Sequence, residues 1–162
     1  MKKAIWITIV LAILFFFYYG SWLMGPGAFP RAEFYEFEVS EDSLISIINN
    51  VKNENPNFIL PQSIKMPDGG YMELKDGRSD STSHWYKIYF HYPEKDQILL
   101  TWTRTNFNGK TTFAFAGINS FKKEWRWKPP NESFWWWKNQ PDIDEFEQRI
   151  LSKIKNEITT GN

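Results

Sequence analysis

HWYKIYFHYPEKDQILLTWTRTNFNGKTTFAFAGI, residues 84–118, contains three apolar-rich runs separated by turn residues. His84 to Tyr92 and Gln97 to Thr105 are dense in aromatic and β-branched side chains, which fit a pleated, half-buried surface. Pro93-Glu94-Lys95-Asp96 punctuates them, so the pair reads as a hairpin. Asn108-Gly109 is the strongest short hairpin signal in the chain, because both residues tolerate the positive φ of a type I′ turn, and it leads into Thr111 to Ile118. Three consecutive antiparallel strands make a meander.

Upstream, Tyr35, Phe37 and Val39 alternate with Glu36 and Glu38 in the period of a half-buried strand over residues 33–39. Ser40 follows as an N-cap, with Glu41 and Asp42 in the first turn, where the helix dipole favours acids. Leu44, Ile47, Ile48 and Val51 then recur at helical spacing, and the helix ends before Pro56. Residues 57–83 are broken by Pro61, Pro67, Asp68-Gly69-Gly70 and Asp76-Gly77, which leaves room for one short strand, Tyr71 to Lys75.

Downstream, Asp142 follows Pro141 as an N-cap, with Glu145 in the capping-box position. Ile143, Phe146, Ile150, Leu151, Ile154 and Ile158 recur at helical spacing, and Glu145 and Arg149 form an i, i+4 pair in the favourable order. The order strand, helix, antiparallel meander, long C-terminal helix predicts an α+β fold, with both amphipathic helices on one face of the sheet. In this topology alone the chain is similar to helix-grip folds, which hold apolar ligands between a curved sheet and a C-terminal helix. Such a resemblance implies a ligand space between sheet and helix.

Residues 4–24, AIWITIVLAILFFFYYGSWLM, carry no charge, and at about 1.5 Å rise per residue they cover roughly the 30 Å of a bilayer's hydrocarbon core. Lys2 and Lys3 precede the run while only Arg31 follows it closely, so the positive-inside bias places the N-terminus in the cytoplasm. Tyr18, Tyr19 and Trp22 fall near the outer end, where amphipathic rings favour the headgroup level. A cleaved signal peptide is the competing reading. It favours an apolar run of about 7–15 residues and an A-x-A-like site, whereas this run is longer and the small-x-small option, Gly25-Pro26-Gly27, has a proline in its middle. Both readings export the rest. The expected organisation is a membrane anchor over 1–24, a linker over 25–32 and one extracytoplasmic domain over 33–160.

The 162 residues hold 19 Lys+Arg against 19 Asp+Glu, two of the basic ones being Lys2 and Lys3, so the exported part lacks the basic surface that nucleic acid binding needs. There is no Cys, which removes disulfides, thiolate nucleophiles and Cys-ligated metals. Neither a cofactor nor a metal is expected, since the common phosphate, dinucleotide, zinc and calcium motifs have no match.

His84 and His91, the only histidines, are seven apart in one expected strand and so on opposite faces, which disfavours a shared metal. Asp80, Ser81, Ser83 and His84 supply triad residue types without the strained elbow that raises a nucleophile. Glu36 and Glu38 share a strand face at the separation of paired glycosidase carboxylates, although solvent-facing Glu on a half-buried strand does the same. The unusual segment is 121–138, FKKEWRWKPPNESFWWWK. Trp125, Trp127, Trp135, Trp136 and Trp137, with Arg126 and Lys128, are the candidate binding residues, against the structural reading in which the indoles plug the end of the core. Side chains of an extended chain alternate, so the three consecutive tryptophans are expected to split between buried and exposed. The expected function is a non-catalytic binding domain whose partner is an envelope protein or the membrane surface. The alternatives are a small carrier or sensor of an apolar ligand and, third, an envelope hydrolase.

Overall fold

The computed structural model describes residues 2–23, 29–66, 68–120 and 124–160. Along the chain run α1 (Lys2–Leu23), β1 (Glu33–Phe37), α2 (Glu41–Glu54), β2 (Ile64–Lys65), β3 (Tyr71–Met72), β4 (Gly77–Arg78), β5 (Tyr86–Tyr92), β6 (Gln97–Thr105), β7 (Thr111–Ser120), β8 (Glu124–Lys128), α3 (Gln140–Phe146), a π turn (Glu147–Leu151) and α4 (Ser152–Thr160). The fold is α+β.

The predicted meander is β5-β6-β7, extended to an antiparallel sheet of order β1-β7-β6-β5-β4. Since β6 takes one edge of β7 along its whole length, β1 and β8 share the other. Glu33–Phe37 covers Thr111–Phe115, and β8 pairs at Ile118 and Ser120. Between these stations the register with β6 shifts, Leu100 opposing Gly117 while Thr101 opposes Phe115, so Ala116 is the extra residue of a bulge that bends the strand. β8 is an addition to the predicted elements, and the alternation in EWRWK is its strand periodicity. β2 and β3 make a separate two-stranded ribbon.

One face of the sheet presents Phe37, Ile88, Phe90, Leu99, Phe113, Phe115 and Ile118 to α2 and the C-terminal helix, as predicted. Leu44, Ile48 and Val51 face it from α2, and Phe146, Ile150, Leu151 and Ile154 from the other helix. Phe146 stacks on Phe115 with ring centroids 4.4 Å apart, so the space between sheet and helix is filled by side chains. The opposite face is apolar too. Ile98, Leu100, Trp102, Ala114 and Ala116 are covered by Ala32, Ile64 and the partly buried Phe29, Leu60, Leu74, Trp85 and Trp127. Burial on both sides is why β7 is buried at every position from Thr111 to Asn119 instead of alternating.

The short strand predicted over Tyr71 to Lys75 is only Tyr71–Met72, and of the cap and turn signals one is realised and two change. Ser40 caps α2, its Oγ accepting the Ser43 N–H at 3.2 Å. At the C-terminal helix the cap predicted at Asp142 is displaced: the helix begins at Gln140 after Asn139, Asp142 pairs with Lys128 at 2.9 Å, and Glu145 turns to Lys95 and Arg149. In the β6–β7 turn Gly109 takes φ 76° while Asn108 does not enter the positive-φ region, so the loop is not type I′. Asn106 Oδ1 instead accepts the Asn108 and Lys110 amides and stiffens the tip.

Candidate functional site

The chain that follows β8 is tied to the start of β1. Asn131 donates its backbone N–H to the Arg31 carbonyl at 3.2 Å and its Nδ2 to Glu33 Oε2 at 2.8 Å. This places residues 131–138 beside the point where the chain comes from α1 into the sheet. The buried Asn139 then clamps the turn: its Oδ1 accepts the Ser133 N–H and its Nδ2 donates to the Ser133 carbonyl, both at 2.9 Å. Because the Asn139 side chain is spent on this clamp, no side-chain cap remains for α3.

The clamp holds Phe134 against α1. Its ring lies 5.9 Å from Phe15, 5.0 Å from Tyr18, 5.9 Å from Tyr19 and 5.7 Å from Trp22. Those four positions are spaced i, i+3, i+4, i+7 and form one helix face. The Tyr18 hydroxyl donates to the Phe134 carbonyl at 2.5 Å, and the Arg31 guanidinium lies 4.3 Å over the Trp22 ring. α1 itself is otherwise bare. Among the described residues it is the one helix long and apolar enough to cross a membrane, with a mean hydropathy of 1.9 over Ile5–Trp22 and none of that span buried against protein.

Continuing from Phe134, Trp135, Trp136 and Trp137 are 44%, 61% and 52% exposed. The expected split between buried and exposed rings does not occur, because Trp136–Lys138 is a 3₁₀ turn and strand alternation does not apply there. The rings form a continuous group: Trp135 packs edge-on to Phe134 at 4.8 Å and stacks on Trp137 at 4.9 Å, and Trp136 meets Trp137 at 6.1 Å. The turn closes its own carbonyls, Lys138 N–H donating to Trp135 O and Asn139 N–H to Trp136 O, both at 3.0 Å.

The other candidate residues do not join this group. Trp127 is half-buried on the second sheet face, 6.1 Å from Tyr89, where a Cβ on Gly117 would meet it at 3.3 Å. Arg126 pairs with Glu132 at 2.6 Å and Lys128 with Asp142, so both cations have partners inside the protein. The side chain of Trp125 lies outside the described residues. Sequence reasoning did not single out Phe134 or Asn139. The signal available for Phe134 was its place next to the tryptophans; Asn139 carried none, since its role depends on a turn.

A second concave region lies at the other end of the strands, where the 78–84 loop faces the tip of the β6–β7 hairpin. It is a groove of about 860 Å³ lined by Glu41, Arg78, Ser83, His84, Arg104 and Phe107 among others. His84 precedes β5, which begins at Tyr86, while the half-buried His91 is inside the strand. The triad types do not form a relay: Asp80 Oδ1 accepts the Thr82 amide and hydroxyl, and Ser83 Oγ donates to the Trp85 carbonyl. Arg78 is fixed to Glu41 at 2.7 Å. Glu36 and Glu38 are exposed, and Glu38 pairs with Lys110.

Compared with protein-family models, with curated proteins and with solved structures, the chain finds no match.

Proposed function

We propose that the protein is a single-pass membrane protein in which α1 anchors a non-catalytic interaction domain outside the cytoplasm, and that the exposed aromatic group at Trp135–Trp137 is its binding surface. The observation that carries this reading is the contiguous exposure of three indoles next to the anchor, since large apolar patches on a folded surface mark contact sites. The filled space between the sheet and the C-terminal helix supports an interaction module over a carrier, which needs a continuous apolar cavity there. The orientation rests on Lys2 and Lys3 against Arg31.

The test is topology. A reporter active only outside the cytoplasm, fused after Gly161, is expected to be active, and protease added to intact cells is expected to remove the domain while the Lys2 and Lys3 end stays protected. A cytoplasmic C-terminus would overturn the orientation. Release of a chain starting near Ala28 would show signal-peptide cleavage instead of anchoring.

A further inference from the structure

The aromatic group sits at a definable depth. Phe134 touches α1 from Phe15 to Trp22, a rise of seven steps or about 10 Å of helix at 1.5 Å per residue. These are the last positions of the apolar span Ile5–Trp22. When that span fills a hydrocarbon core of about 30 Å, its outer third lies against Phe134, and the Trp135 ring packed on Phe134 starts the indole group close to that depth. From this we propose that the partner of the Trp135–Trp137 surface is the bilayer in which α1 is anchored, with the indoles seated in its interfacial layer as a second attachment point of the domain.

Two independent features fit the loop for that layer. Backbone carbonyls are costly to bring into a medium without water, and those of residues 133–136 are already occupied. Ser133 O takes Asn139 Nδ2, Phe134 O takes the Tyr18 hydroxyl, and Trp135 O and Trp136 O take the Lys138 and Asn139 amides. Of the cations near the loop, Arg126 and Lys128 are bonded to Glu132 and Asp142, which leaves the exposed Lys138 at the edge of the indoles. The attachment is therefore mainly aromatic, with indoles at the level they prefer, and with Arg126 and Lys128 paired it is expected to hold on zwitterionic as well as on anionic lipid.

This inference rests on α1 spanning the membrane, so its test carries a control for that. The chain has no cysteine, and one introduced at a chosen site is its only thiol. The full-length variants Leu14→Cys, Trp136→Cys and Phe107→Cys, spin-labelled and reconstituted in zwitterionic and in anionic vesicles, are compared for collision with oxygen and with a water-soluble nickel chelate. Phe107 is the fully exposed tip of the hairpin at the groove. Position 14 is expected to show the oxygen-rich, chelate-free signature of hydrocarbon, and position 107 that of water. Position 136 is expected to lose chelate collisions and gain oxygen collisions relative to 107, equally in both lipids, with unchanged melting of the domain. Chelate access at 136 equal to that at 107 overturns the seat while leaving the anchored domain intact. Protection from both relaxants indicates a protein contact and overturns it as well, and protection in anionic vesicles alone replaces it with an electrostatic attachment. Aqueous access at position 14 removes the anchor and the seat together.

Discussion

Asp76 shows how a single carboxylate finishes a sheet edge. β4 is two residues long and pairs only with Tyr86 and Lys87, so the edge of β5 beyond them has no strand to bond. Asp76 Oδ1 accepts the Tyr89 N–H at 2.9 Å in place of a neighbouring strand, and its Oδ2 receives the buried Lys52 Nζ at 2.5 Å. Burial pulls the Lys52 ammonium below its usual range, and Asp76 opposes that shift. Asp76→Ala leaves both donors without an acceptor and is expected to cost about 1–3 kcal/mol, whereas Asp76→Asn keeps an acceptor for the amide. Hydrogen exchange at the Tyr89 amide should accelerate in the first variant and change far less in the second. Two other residues contribute to the loss of stability in acid. Burial lowers the His91 imidazole, and the hydrogen bond from Arg149 lowers the Glu94 carboxyl. A lowered folded pKa means that the unfolded chain takes up the proton first. Stability is thus full above the unfolded values and falls with pH, starting below about 6.5 for His91 and below about 4.3 for Glu94. Thermal melts of His91→Gln should lose the upper part of that decline and keep the lower part.

Among the elements, the C-terminal helix is where pattern and packing agree most closely and still differ in one detail. Its apolar positions were legible because helical spacing is local, and Ile143, Phe146, Ile150, Leu151 and Ile154 are all buried. The π turn at Glu147–Leu151 carries two of these positions, Ile150 and Leu151, and both remain in the core. Ile150→Asp places an unpaired charge in that stripe and is expected to unfold the domain, because such a charge costs several kcal/mol against a total of about 5–15 kcal/mol. Gln148→Asp, on the exposed side, should move the melting temperature little. The meander was readable for the same local reason. What was not readable depends on contacts far apart in sequence. Asn139 forgoes a cap to clamp Ser133, and β8 forms because β1 leaves the last part of the β7 edge uncovered. The cover of the second sheet face comes from irregular segments around Phe29, Leu60 and Trp85 that show no period at all. In the aromatic group the strand rule misplaced the rings of Trp135–Trp137, and Trp127 packs, half-buried, against the second face of the sheet.

For the molecule as a whole, α1 and the rest of the fold are separable in energy and joined in geometry. Among the described residues neither buried cluster includes a side chain of α1, so the core of residues 29–160 is built without the helix. The contacts with α1 are made by the outside of the domain, through Phe134 and Arg31. The chain cut to residues 29–162 is therefore expected to fold, with a melting temperature within a few degrees of the full-length protein. It should not behave as an inert soluble domain. Removing α1 strips four aromatic neighbours from Phe134 and leaves it beside three exposed indoles, an apolar patch of the kind that drives association. Sedimentation should show concentration-dependent oligomers that detergent dissolves, and Phe134→Ser combined with Trp136→Ser should shift the population to monomer without lowering the melting temperature. A truncated chain that stays unfolded would mean that α1 supplies part of the core. One that is monomeric with all four rings in place would mean that the patch is too polar to seek an apolar partner, and would weaken the case for a membrane seat from the opposite direction.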